Sequence, residues 1–165
     1  MKYALLFPAL LVAFTVSALA EAPLPVADFN KTLSAAAKDQ KLAFILLGRP
    51  TCGNCNATKA MIKDGKIAVT AADFVMGDLN VDDQRTQGEF MRRYGKEKFG
   101  DTLPFVVVTD SKGKLLASSG GYKDANKWNA LLAEAKSKLA AKAATTGAAG
   151  GADASWPFKT AAKPQ

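Results

Sequence analysis

The sequence predicts one α/β domain, with a mixed central sheet that is parallel in one half and closed by a C-terminal antiparallel hairpin, covered by helices on both faces. Three observations carry this. Residues 42–47, 74–79 and 103–108 are mostly apolar runs of strand length, as expected for strands buried on both sides. Segments with helical spacing separate these runs, which favours parallel pairing and helical cover. Asp110-Ser111-Lys112-Gly113 then reads as a tight turn into a short partner strand at 114–117, with Gly113 suited to positive φ.

The elements follow in order. Residues 1–20 read as a signal peptide: Lys2 gives a positive start, residues 4–16 are almost wholly apolar, and Ala18-Leu19-Ala20 is a small-x-small site before Glu21. The apolar stretch is short for a membrane span and is interrupted by Pro8, so an uncleaved anchor is the lesser alternative. Export to a periplasmic or secreted location follows, with no stable membrane insertion after cleavage. Ala22-Pro23-Leu24-Pro25 has neither helix nor strand character. Asp28 can cap a helix with Phe29, Leu33, Ala36 and Ala37 on one face. A second helix, with Ala57, Ala60 and Met61 inward, fades near Asp64-Gly65. Asp82 or Asp83 opens a third, through Phe90, Met91 and Tyr94. Gly120-Gly121 ends the last strand. A final helix capped by Asp124 aligns Trp128, Leu131, Leu132, Ala135 and Leu139. The domain is thus expected over residues 21–140. Residues 141–165 form an Ala-, Gly- and Lys-rich tail too poor in large apolar side chains to offset ordering entropy, with Trp156 and Phe158 as its only bulky anchors.

Composition excludes several functions. Hydrophobic residues make up 48% of the chain, which suits a packed core rather than disorder. The 22 basic and 15 acidic side chains give +7, and loss of Lys2 leaves +6. The basic residues are scattered, without the clustering and aromatic interleaving of a nucleic-acid site, so no nucleic-acid partner is expected. There is no histidine. Ser-His and Cys-His dyads are therefore excluded, and the two cysteines cannot furnish a four-ligand zinc site. No metal and no cofactor beyond a Cys52–Cys55 disulfide is expected.

Those cysteines lie in Arg49-Pro50-Thr51-Cys52-Gly53-Asn54-Cys55, directly after the first apolar run. A strand that turns into a helix on a Cys-x-x-Cys pair places the first sulfur at a helix N-terminus. There, unpaired N–H groups and the macrodipole favour a thiolate. One turn on, the second sulfur can close a ring with the first. The bland alternative is a structural staple, but so small a ring constrains the unfolded chain little. The pattern points to thiol–disulfide exchange, with Cys52 attacking and Cys55 resolving.

Across residues 26–139 the chain resembles the thioredoxin family. The resemblance rests on Cys52-Gly53-Asn54-Cys55 after the first core strand, Leu79-Asn80-Val81-Asp82 closing the next, Leu103-Pro104 opening the third, Gly113 in the hairpin, and the final amphipathic helix. It implies a thiol–disulfide oxidoreductase acting on protein thiols and disulfides, fed by an upstream redox partner. It also implies a cis Pro104 packed against the cysteines, with Leu103 presenting backbone groups to an extended substrate.

The departures are informative. The residue before the first cysteine, usually tryptophan, is Thr51, whose hydroxyl is suited to cap the helix. Between the cysteines stand Gly53 and Asn54 rather than Gly-Pro, which loosens the first turn and tunes the thiolate. The buried acid expected six residues before Cys52 is Leu46, and the usual lysine before Leu-Asn-x-Asp is Asp78. Asp78 is a candidate replacement acid that would take the Cys55 proton from the neighbouring strand; the alternative is an ordinary solvated strand-end charge. A non-catalytic protein-binding module with a locked Cys52–Cys55 disulfide is the main rival function. A small peroxidase using Arg49 and Thr51 is a weaker one.

Overall fold

The computed structural model describes residues 21–148. The signal-peptide reading, export, and the Trp156/Phe158 anchors fall outside that span.

The middle strand organises the molecule. β2 (Leu42–Gly48) is buried at every position because it has a strand on each edge and helices on each face. The five-stranded sheet runs β1-β3-β2-β4-β5, with β1 (Pro25–Val26), β3 (Phe74–Asn80), β4 (Phe105–Thr109) and β5 (Leu115–Gly120). β1, β3 and β2 are mutually parallel; β4 pairs antiparallel to both β2 and β5. Period-two alternation then sorts the core into two halves. Leu42, Phe44 and Leu46 face a cluster with Cys55, Ile62, Val106, Trp128 and Leu132. Ala43, Ile45 and Leu47 face Phe29, Ala36, Phe90 and Tyr94. The first half is roofed by α2 (Gly53–Lys63) and α4 (Ala125–Ala148), the second by α1 (Phe29–Asp39) and α3 (Gln84–Tyr94).

Local chemistry sets the boundaries. Asp28, Asp83 and Asp124 each accept a backbone N–H from the following helix. Gly113 has φ 73°, and Asp110 Oδ1 accepts the Lys112 and Lys114 N–H groups, closing the hairpin as expected.

Several expectations need correction. Pro25 is not in an unstructured lead-in: Pro25 and Val26 pair with Met76 and Gly77 as an edge strand, where proline's missing N–H costs nothing. On α1, Ala37 is exposed and Thr32 is buried instead, its hydroxyl bonded to the Asp28 carbonyl at 2.7 Å. On α2 the buried residues are Cys55, Thr58 and Ile62, while Ala60 is exposed and Ala57 and Met61 are half-buried. The inward position of Cys55 fixes that phase. Met91 is 39% exposed, beside a buried Phe90. β4 begins at Phe105 rather than Leu103, since Pro104 has no N–H for the ladder. β5 runs through Gly120, and Gly121, at φ 74°, ends it. α4 continues to Ala148, so residues 141–148, assigned to the tail on composition, are helical. Alanine and lysine are strong helix formers, and Lys142 adds an ion pair to the buried Asp110 at 2.8 Å.

Candidate active site

β2 ends at Gly48, whose carbonyl accepts the Val81 N–H at 2.8 Å. The chain then turns through Arg49-Pro50-Thr51, closed by the Cys52 N–H donating to the Arg49 carbonyl at 3.0 Å and the Asn56 side-chain amide donating to the Pro50 carbonyl at 2.9 Å. Cys52 is the N-cap of α2: its backbone is extended (φ −80°, ψ 114°) and its own sulfur accepts the Cys55 N–H at 3.3 Å. The Cys52 sulfur thus occupies the place expected of the Thr51 hydroxyl, and Thr51 is exposed. A helical N–H that would otherwise be orphaned points at the Cys52 sulfur, which favours its thiolate.

The two sulfurs differ in environment. Cys52 is half-buried and Cys55 fully buried, both as free thiols. Burial works to push the Cys52 thiol up. Hydrogen bonds from the Cys55 thiol and from the Cys55 and Asn54 N–H groups, with the Arg49 charge, outweigh it and hold Cys52 below the ordinary value. For Cys55, burial pushes the thiol up to about 11, and its hydrogen bond to Cys52 adds to this, against the Arg49 backbone and the Lys59 charge. Cys52 is thus the more readily ionised of the two thiols and Cys55 the less.

Gly48 makes room for that second sulfur. A Cβ at position 48 would lie 2.8 Å from Cys55 Sγ. A Cβ at Gly53, the residue after Cys52, would meet nothing within 4 Å, so the space there is open. Asn54 sits in the first turn, its carbonyl accepting the Thr58 hydroxyl at 3.0 Å.

Leu103–Pro104 is cis. Pro104 is buried, its carbonyl accepting the Gly121 N–H at 3.0 Å, and half-buried Leu103 packs on the same apolar cluster as Cys52. Asp78 stands in register with Leu46, on the strand edge nearest the vacant acid position. Its carboxylate pairs with Lys59 Nζ at 3.0 Å, both side chains 28% exposed, so it is neither bonded to Cys55 nor freely solvated. Gly48, Lys59 and Asp78 share the lining of a cavity of about 220 Å³. A larger cavity of about 530 Å³ lies at the opposite end of β2, near Leu42 and Lys136, away from the sulfurs.

Reading the residues alone gives no role to Gly48 or Lys59, weighs Arg49 only for a peroxidase, and takes Asp82 only as a helix cap and motif residue. Lys59 carried a signal, being one turn beyond Cys55 on its helix. Asp82 joins Arg49 across 33 residues, which spacing cannot show. Among the described residues no group of three or more His, Cys, Asp or Glu is placed to hold a metal, and no helix is long and apolar enough to cross a membrane.

Comparison with known proteins now decides the family. A thioredoxin-like domain model matches residues 29–136, from the first residue of α1 into α4 and across both cysteines. The chain belongs to the thioredoxin-like family. Among solved thioredoxin-like structures, a thioredoxin variant from Halobacterium salinarum aligns at 17% identity and TM-score 0.51, over 70% of this chain and 91% of its own. A thioredoxin-like protein from Clostridium perfringens aligns at 13% and 0.51, over 74% and 87%. An oxidised thioredoxin from Arabidopsis thaliana aligns at 14% and 0.51, over 69% and 94%. These likenesses concern the fold. No curated protein sequence matches the chain.

Proposed function

We propose that this thioredoxin-like chain is an exported thiol–disulfide oxidoreductase acting on protein substrates through Cys52 and Cys55. The observation that carries the reading is the asymmetry of the pair: a half-buried sulfur capping a helix, lowered in pKa, beside a buried sulfur raised to about 11. A staple needs no such difference.

In the reductive direction the Cys52 thiolate attacks one sulfur of a partner disulfide. The Cys52–partner bond forms, the partner S–S bond breaks, and the departing partner thiolate takes a proton. Cys55 then loses its proton and attacks Cys52 Sγ. This closes the Cys52–Cys55 disulfide and releases the second partner sulfur as a thiol. The partner gains two electrons and two protons; the pair loses them. An upstream thiol donor restores the pair, and the same steps reversed donate a disulfide. Leu103 and Pro104 present the backbone against which an extended substrate lies, and Gly53 leaves its approach open. Asp78, held by its ion pair with the Lys59 ammonium, is the base that takes the Cys55 proton.

A Cys55→Ser variant tests this. It retains the attacking sulfur without the resolving one, so mixed disulfides with protein partners are expected to persist on a non-reducing gel and to vanish with dithiothreitol. The Cys52→Ser variant should trap none. Failure of Cys55→Ser to trap any partner, with Cys52 still alkylatable, would favour the docking-module reading.

A further inference from the structure

Arg49 opens the turn that carries Cys52, and one carboxylate holds its forked side chain. Nε donates to both oxygens of Asp82, at 3.0 and 2.8 Å, and Nη2 donates to Oδ1 at 2.7 Å. Bidentate contacts of this kind fix the plane and position of a guanidinium, which a single lysine-type contact does not. Asp82 is itself anchored, its N–H donating to Asn80 Oδ1 at 3.1 Å, beside the Val81 N–H bond to Gly48. The loop after β3 is thereby clamped to the turn before Cys52. The turn's far end is fixed by the Cys52 N–H bond to the Arg49 carbonyl.

We propose, resting on the reading of the pair as a redox centre, that Arg49 is the cation serving the attacking sulfur and that Asp82 is the positioning residue that keeps it there. The titratable groups acting on the sulfurs include the two thiols themselves, Arg49 and Lys59. Asp82 and Asp78 hold those two cations, while Leu103 and Pro104 bring no charge. The Arg49 charge lowers the Cys52 thiol, by less than the hydrogen bonds from Cys55 and Asn54 do.

The clamp makes a prediction of unusual sign. As a bare negative charge near Cys52, Asp82 would disfavour the thiolate, so its removal would speed reactions of Cys52. As a clamp it favours the thiolate, so its removal slows them.

The test is the rate of Cys52 alkylation by iodoacetamide between pH 5 and 10, mapped by mass spectrometry on the reduced full chain. Arg49→Gln is expected to slow alkylation at pH 7 by about two- to fivefold, the span of screened charge pairs, and to move the profile to higher pH. Asp82→Ala is expected to slow it as well, and the double variant to alkylate no more slowly than Arg49→Gln alone. Arg49→Lys, which retains charge without the fork, should fall between wild type and Arg49→Gln. Alkylation that is unchanged or faster in Asp82→Ala, or effects that add in the double variant, would overturn the clamp. The two readings fail separately. A chain that alkylates as expected but traps no partner in the Cys55→Ser form contradicts the oxidoreductase reading. One that traps partners yet alkylates independently of Asp82 contradicts the clamp alone.

Discussion

Replacing Gly48 by alanine places a methyl group against the resolving sulfur. The new Cβ would stand 2.8 Å from Cys55 Sγ, 3.1 Å from Cys55 Cβ and 2.9 Å from Leu46 Cδ2. Non-bonded carbon contacts settle near 3.5 Å, so the sulfur must give way by at least about 0.5 Å. Cys55 and Leu46 are fully buried, which leaves little room to yield. Overpacking of this kind costs about 1–3 kcal/mol, while exchanging glycine for alanine in a strand returns roughly 0.5–1 kcal/mol of backbone entropy. The net loss is about 1 kcal/mol, read as a lower urea midpoint at unchanged slope. The kinetic effect should be larger and one-sided. Cys52 retains its cap and attacks normally, but the displaced Cys55 sulfur resolves the mixed disulfide about tenfold more slowly, or worse. Stopped-flow reduction of a fluorogenic disulfide separates the two phases. Wild-type rates in both phases, or equal slowing of both, would refute the assignment of Gly48 to the resolving sulfur.

Three further outcomes follow from the same geometry. Burial is the largest cause holding the Cys55 thiol up, at about 11 in the dithiol, so resolution near neutral pH calls for a base. Asp78→Asn combined with Lys59→Met, which avoids stranding an ammonium, should slow resolution about tenfold or more between pH 6 and 8 and little near pH 10; unchanged rates across pH would remove Asp78 from the mechanism. Alkylation should modify Cys52 first, through a midpoint below the ordinary thiol value, and leave Cys55 silent until pH approaches 11; mass spectrometry showing the reverse order would contradict the division of roles. Burial works to push the Asp110 carboxyl up, but Lys142 and the Lys114 and Lys112 N–H groups outweigh it and hold Asp110 below the usual carboxylate value. Its contribution is therefore full above that value and lost as pH falls through the lowered one. Asp110→Asn should cost about 1.5–3 kcal/mol at pH 7 and progressively less in acid, and an equal loss at pH 7 and pH 2 would sink this.

What the sequence disclosed was local chemistry. The apolar run in β2, the Asp110–Gly113 turn and the aspartate caps are each written in a few adjacent residues, and each stands where expected. The Cys-x-x-Cys pair after a buried strand was legible for the same reason. The rest depends on partners distant in the chain. A two-residue edge strand at Pro25–Val26 carries no periodicity and exists only because β3 lies alongside. The phase of α2 is set by the slot that Cys55 enters beside Gly48, which helical spacing of alanines could not reveal. Thr51 was the better capping residue by type, yet Cys52 took the position because the turn is closed one residue later. Asp78 is legible as a candidate replacement acid, but its pairing with Lys59 and the Arg49–Asp82 clamp join residues that only the fold brings together. A glycine such as Gly48 acts by lacking a side chain, and so leaves no signal of its own.

The most direct test of the central claim is the equilibrium of the Cys52–Cys55 couple against glutathione and dithiothreitol buffers, followed by the shift in mass on alkylation. An active exchange centre should convert fully between dithiol and disulfide, with a midpoint within the oxidoreductase range of about −270 to −120 mV. A pair that stays oxidised in every buffer, with a potential below about −300 mV, would mark a structural staple and contradict the account.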